Sequence, residues 1–315
     1  MLVKDIEFQS AQHVIDEIRN MNVKGGSPFG RAAAWAYKLI CEQEDLNTFE
    51  KLKERFDGVS DEMIALKPTM ATIFNTKDLV YTYLDRYSRE PAEELKKKIS
   101  GLCGRIIAHS EQSVEKLGVY GCNLIQDQDT VMMHSYSSTL MSIFTHAAEQ
   151  GKKFRVICTE SRPLRESRLA AKVLQSYDIA VTYITDASIW EFMPSADLII
   201  MGADSIACDG SVANKMGTAM VSQLAQSCKC PVYIASELYK LDGRTRYGYK
   251  IQLERRTEKE IISKDDFESL NGIEIINQFF DITPANQITG FITEEGVISP
   301  QMVDICWTKV QEKLL

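Results

Sequence analysis

Between Thr130 and Lys240 the chain alternates short apolar runs with helical patterns, and no other feature constrains its fold as strongly. Val131-Met132-Met133-His134 leads into Ser135-Tyr136-Ser137-Ser138. Phe154-Arg155-Val156-Ile157-Cys158 leads into Thr159-Glu160-Ser161-Arg162-Pro163. Leu198-Ile199-Ile200-Met201 leads into Gly202-Ala203-Asp204-Ser205-Ile206. Apolar runs this short, separated by helices, predict buried parallel strands. The pattern predicts strands at 131–134, 154–158, 180–184, 198–201 and 231–235. Helices are expected at 138–150, 164–177, near 189–193 and at 215–227. Repeated strand–helix winding gives a mostly parallel sheet covered on both faces. Ligands of such sheets sit outside the carboxyl ends of the strands, where the polar segments fall.

The first 124 residues read differently. A helical period runs through 5–21. The alanine-rich stretch Ala32–Lys38 favours helix, as do 45–56, a segment from Met70 to Tyr83 entered through Pro68, and a long one from Ala92 to Leu117. A linking segment is expected at 119–123. The reading is therefore an α/β chain: a helical domain over 1–124, then a sheet domain over 125–315. Residues 241–286 look irregular and charge-rich, with a turn at 280–284. A last strand is expected over 287–292 and a closing helix over 300–314.

Net charge is −8, which argues against a nucleic-acid footprint because that needs a basic face. A local cluster of cations and backbone N–H groups still suits a small anion. The eight cysteines are scattered without metal-knuckle spacing, and no run spans a bilayer. The expectation is a cytoplasmic protein with reduced thiols, no metal and no membrane partner.

Lys24-Gly25-Gly26-Ser27 opens the alanine-rich helix. Glycines permit close backbone approach, and a helix start favours an anion, although a plain interhelical turn fits the same residues. Arg162, at a strand end, suits a bidentate phosphate clamp or an ion pair with Glu160 or Glu166. Asp204, among small residues, suits proton transfer or sugar hydroxyls, or a backbone-bonding loop role. Asn214 and Lys215 precede a helix, where Asn can cap and Lys can reach a phosphate. Lys67 and Lys240 add point charges. His134 beside Ser135 is not a nucleophile–base pair, because adjacent strand residues point to opposite faces.

Taken together, His-Ser-Tyr-Ser, Thr-Glu-Ser-Arg-Pro, Met-Gly-Ala-Asp-Ser-Ile and Asn-Lys-Met-Gly-Thr resemble one superfamily. So do Phe280-Asp281-Ile282-Thr283-Pro284 and Ile292-Thr293-Glu294-Glu295-Gly296. It joins methylthioribose-1-phosphate isomerase, ribose-1,5-bisphosphate isomerase and the alpha, beta and delta subunits of eukaryotic initiation factor 2B. The resemblance implies a helical N-terminal domain, a Rossmann-like C-terminal domain and a homodimer packed through the latter. It implies aldose 1-phosphate to ketose isomerisation without a cofactor, carried in the family by a Cys and an Asp. The Asp matches Asp204, and the Cys position matches Ser135. Lys24, Gly25, Gly26, Ser27, Lys67, Ser137, Arg162, Asn214, Lys215 and Lys240 are then the expected binders of a phosphorylated sugar or nucleotide. Arg162 and Asp204 look like the isomerases. Ser135 looks like the alpha subunit, whose implied role is non-catalytic ligand binding.

Overall fold

The computed structural model describes residues 6–315; Asp5, the start of the first expected helical stretch, lies outside them. Five helices come first: α1 (Ala11–Arg19), α2 (Gly26–Gln43), α3 (Phe49–Leu66), α4 (Ala71–Arg86) and α5 (Ala92–Cys122). Ser10 and Thr48 cap α1 and α3 by accepting the N–H groups of His13 and Lys51. The alanines of α2 are buried, so this helix forms the centre against which α1, α4 and α5 pack.

Strand–helix alternation then follows as β1 (Thr130–Met133), α6 (Ser138–Glu149), β2 (Arg155–Thr159), α7 (Ser167–Ser176), β3 (Ala180–Ile184), α8 (Ile189–Phe192) and β4 (Leu198–Met201). Next come β5 (Ser205–Ala207), β6 (Val212–Lys215), α9 (Thr218–Cys228), β7 (Val232–Ala235), β8 (Leu241–Asp242), β9 (Arg255–Arg256) and β10 (Asn277–Gln278). The chain closes with β11 (Phe280–Thr283), β12 (Gly290–Thr293), β13 (Gly296–Ile298) and α10 (Val303–Leu314).

The main sheet has the order β13-β12-β7-β4-β1-β2-β3, parallel except for β13. Its central strands β4 and β1 are almost wholly apolar because both faces are covered, whereas the edge strands β3 and β13 are partly exposed. Met132, Ile199 and Met201 face one apolar cluster, shared with α9, α10 and the N-terminal helices. Val131, Met133, Leu198 and Ile200 face the other, under α6 and α7. Side chains thus alternate between two cores with the strand period of two. From β1 the chain winds outward to β3, then returns to β4 on the other side of β1. That reversal is a topological switch point, where the loops diverge and leave a crevice.

Four expectations need correction. Pro68 does not open α4: residues 67–70 form a turn, and the helix starts at Ala71, whose N–H is taken by Ser205 Oγ at 2.9 Å. The long helix α5 runs through the expected linker at 119–123 to Cys122, because glycines on it admit the side chains of α6. The segment 205–215 is a hairpin and not loop plus helix. Residues 280–283 form a strand and not a turn; they pair with β6, so that β11-β6-β5-β8 make a second sheet. Among the described residues no helix is long and apolar enough to cross a membrane.

Candidate functional site

Ser135 leaves β1 with a left-handed backbone, φ +67°, and its N–H donates to Ser161 Oγ at 2.7 Å. Asp204 leaves the neighbouring β4. The hairpin missed in the sequence carries the chain out along β5 and back along β6. Asp204 N–H donates to Ala213 O at 2.9 Å, which sets Asn214 and Lys215 beside Asp204. The strand β11 pairs Phe280 with Lys215, and the Phe279 ring centroid lies 3.0 Å from Lys215 Nζ. The N-terminal helices close the other side with the loop before α2 and the turn before α4.

The result is a cleft of about 540 Å³ at the switch point. Its cationic wall holds Lys24, Lys67, Lys215 and Arg256, with Arg165, Arg168 and Lys172 across from them. Met21, Phe29, Met70, Leu164, Leu169, Phe279 and Phe280 supply an apolar lining, and Ser135, Tyr136, Glu166 and Asp204 complete it. A second cleft of about 510 Å³, between α4, α10 and residues 242–249, holds none of the strand-end residues.

Asp204 makes no side-chain hydrogen bond or ion pair among the described residues. Burial raises its pKa to about 6, against the pull of Lys240 and Lys215. Such a carboxyl exchanges protons near neutrality. Lys67 and Lys215 are 5% and 3% exposed, and burial lowers the proton affinity of both. Each leans on a carboxylate: Lys67 lies 3.3 Å from Glu254 and Lys215 lies 2.7 Å from Glu166. Arg256 is bidentate to Glu260. Lys24 is exposed and has no ion-pair partner among the described residues.

His134 is turned away from Ser135. Its Nε2 donates to Met216 O at 2.8 Å, and its Nδ1 accepts from the Thr159 hydroxyl at 2.6 Å. Burial lowers its pKa, so the ring is a neutral strut. Gly217, with φ +107°, permits that packing, since a Cβ there would lie 2.9 Å from the ring.

Of the residues expected from sequence, Lys24, Gly25, Lys67, Ser135, Asp204 and Lys215 line the cleft. The others stand behind it or beside it. Gly26 and Ser27 are buried in the first turn of α2. Ser137 Oγ is hydrogen-bonded to Thr139 Oγ1, and Asn214 Nδ2 donates to Thr218 Oγ1. Lys240 donates to Ala203 O from below the Asp204 turn. Arg162 directs its guanidinium to Ile261 O at 3.3 Å and makes neither expected ion pair. Those carboxylates are taken by Arg165 and Lys215. Cys158, near the end of the neighbouring strand β2, and Cys208, four residues after Asp204, do not line the cleft. Burial pushes the Cys158 thiol up to about 12. All eight cysteines are unpaired thiols.

Sequence reasoning missed Arg165, which sits in the turn before α7 with φ +58°, and Arg168 and Lys172, although these two share one face of that helix at i, i+4. It missed Arg256 and Phe279 because their stretch carries no periodicity. No group of three His, Cys, Asp or Glu side chains suited to a metal occurs among the described residues.

Residues 22–300 match the family described as the Initiation factor 2 subunit family. The ribose 1,5-bisphosphate isomerase of Pyrococcus furiosus is 34% identical over 303 residues, 95% of this chain and 92% of its own length. A putative translation initiation factor eIF-2B subunit 2-like protein of the same organism is 33% identical over 91% of this chain and 95% of its own. The crystal structure of the Pyrococcus horikoshii OT3 translation initiation factor eIF-2B superimposes with a TM-score of 0.78 at 28% identity. It covers 92% of this chain and 97% of that one.

Proposed function

The chain belongs to the Initiation factor 2 subunit family, and we propose that it is a sugar-phosphate isomerase acting on ribose 1,5-bisphosphate or a close aldose 1-phosphate. One observation carries this reading: Asp204, unpartnered and with a pKa of about 6, among the cations of a cleft whose other lining carboxylate, Glu166, is bound to Lys215. A site that only held phosphate would gain nothing from a carboxylate there. Lys24, Lys67, Lys215 and Arg256 hold one phosphoryl group, and Arg165, Arg168 and Lys172 the far end of the ligand. Charge-assisted hydrogen bonds of this kind fix orientation as well as affinity.

In the reaction the furanose ring opens, a proton leaves C2 and a proton arrives at C1. C2 becomes the carbonyl and C1 a CH₂, so the oxidation at one carbon balances the reduction at the next. Asp204 exchanges the hydroxyl protons. Ser135 stands at the proton-transfer position, directly or through water. Gly25 meets the ligand in the cleft lining, and Gly26, Ser27, Ser137, Arg162, Asn214 and Lys240 support it from behind or beside the cleft. The protein works in a reducing cytoplasm as a homodimer through its C-terminal half, where Val297, Met302 and Ile305 leave apolar surface exposed.

A second reading is favoured by Ser135, whose hydroxyl has no base beside it because His134 is committed elsewhere. The chain is then a ligand-binding subunit that acts through protein partners. The experiment is a ³¹P NMR assay of ribose 1,5-bisphosphate, methylthioribose 1-phosphate and ribose 1-phosphate incubated with the protein. New phosphorus signals of the ketose product support the isomerase. Tight binding without conversion of any of the three supports the subunit reading.

A further inference from the structure

We propose that Glu237 is a positioning residue of this cleft: its carboxylate keeps Lys240 charged, and Lys240 in turn holds the Asp204 turn beneath the glycine loop. The inference rests on the reading that the cleft takes an anionic ligand.

Lys240 is 2% exposed, and its Nζ donates to the carbonyl of Ala203, the residue before Asp204, at 2.9 Å. A Cβ at Gly26 would lie 3.0 Å from Lys240 Cε and 3.3 Å from Asp204 O. The lysine stem therefore fills the space between the glycine loop and the Asp204 turn, and only glycine admits it there. Glu237 sits on the same short helical turn, with Lys240 N–H donating to its carbonyl at 3.2 Å. It is 1% exposed. Both of its carboxylate oxygens, and the nearby Ser27 hydroxyl, are buried without a hydrogen-bond partner.

A buried carboxylate with both oxygens unused is costly unless a neighbouring charge compensates it. The charged groups around it come from five elements. Lys240 is on its own turn, Arg31 comes from α2, Asp204 follows β4, and Glu294 follows β12 with His109 of α5 3.7 Å away. Arg31 is held to Ser110 at 2.9 Å, and Glu294 accepts the Leu238 N–H. Glu237 is thus an uncommitted anion that Lys240 faces in addition to Asp204. Burial drives Lys240 toward the neutral amine and Glu237 toward the neutral acid, and each charge opposes the other's loss. With Glu237 neutralised, Lys240 sheds its proton at a lower pH. The floor of the cleft then loses a positive charge and the firm hold on Ala203.

Calorimetric titration with ribose 5-phosphate from pH 7.5 to pH 10 tests this. The phosphate is already a dianion there, so its own titration does not intrude. For the native protein we expect affinity to hold until Lys240 begins to lose its proton. For Glu237→Gln it falls earlier, by up to about tenfold per pH unit, the limit for one linked proton. Glu237→Asp restores the native profile, and in Glu237→Gln, Lys240→Gln the early fall disappears because the group that causes it is gone. A purely structural role weakens binding equally at every pH, which overturns the proposal. So does an early fall that persists without Lys240. If Glu237→Gln does not fold, Lys240→Arg serves: its guanidinium stays charged, so the high-pH loss becomes smaller than in the native protein, and an unchanged loss overturns the proposal. Normal ribose 5-phosphate binding with parallel profiles sinks this inference alone. No binding by the native protein at any pH sinks the reading beneath it as well.

Discussion

Replacing Asp204 by Asn should stabilise the ligand-free protein while removing its chemistry. In the native fold burial lifts the Asp204 carboxyl from 3.8 to about 6, because an ionised carboxylate is poorly solvated at the switch point. That distance amounts to about 3 kcal/mol at about 1.36 kcal/mol per pH unit. The folded pKa lies above the unfolded one, so the folded state binds the proton more tightly. Stability tied to Asp204 is intact below pH 4, is lost as pH rises toward 6, and is fully lost by about pH 7. Asn keeps the shape and carries no charge, so the variant escapes this loss. The stability gap between Asp204→Asn and the native protein should widen by about 2.4 kcal/mol between pH 4 and pH 7, a little under half of it by pH 5. Urea unfolding of both proteins at half-unit pH steps measures the gap. Asp281, also raised to about 6, titrates in both proteins and cancels in the difference. A gap independent of pH would show that Asp204 titrates as an ordinary surface carboxyl, and the argument for it as a proton-exchanging group near neutrality would fail.

If the site is an isomerase site lacking a group that titrates near the working pH, Ser135→Cys should raise turnover on the correct aldose 1-phosphate by up to ~10²–10⁴-fold, read by single-turnover kinetics. Lys215→Ala should weaken phosphate-ligand binding by about 2–5 kcal/mol and leave Glu166 buried and unpaired. Arg162→Ala, whose guanidinium meets Ile261 O outside the cleft, should cost under about 1 kcal/mol, and calorimetry separates the two. Gly217→Ala should destabilise the fold by about 2–4 kcal/mol, since a side chain there is both strained at φ +107° and 2.9 Å from the His134 ring; denaturant midpoints report it. Ile305→Asp, at a half-exposed position on α10, should convert a dimer to monomer in sedimentation velocity without changing the circular dichroism spectrum.

The parallel sheet was legible because its central strands are buried on both faces and its edge strand β3 is rich in β-prone residues. Leu198–Met201 and Ala180–Ile184 read as uninterrupted apolar or β-prone runs, and both strands occupy the residues expected. The second sheet was not legible. Its strands are two to four residues long, and Lys215 and Asn214 look like helix-start residues until β11 pairs with them. In the same way Gly118 and Gly121 read as breakers, when they are the places where α6 presses its side chains against α5. Ser135 entered only through the resemblance, whereas Asp204 and Lys215 were visible because strand ends collect chemistry at a switch point. Arg256, Phe279 and Glu166 were not, because they reach the cleft through tertiary contacts that leave no local pattern. Arg162 shows the opposite error: its place after a strand suggested the clamp, while the loop turns its guanidinium toward Ile261 and leaves Arg165 on the cleft wall.

The most direct test of the isomerase assignment is proton exchange in heavy water. Ribose 1,5-bisphosphate is incubated with the native protein, with Ser135→Cys and with Asp204→Asn, and C1 and C2 are followed by proton NMR. The account predicts solvent deuterium at these carbons with the native protein, faster incorporation with Ser135→Cys, and none with Asp204→Asn although the sugar still binds. Binding without exchange in both the native and the Ser135→Cys proteins would contradict it and leave a ligand-binding subunit in its place.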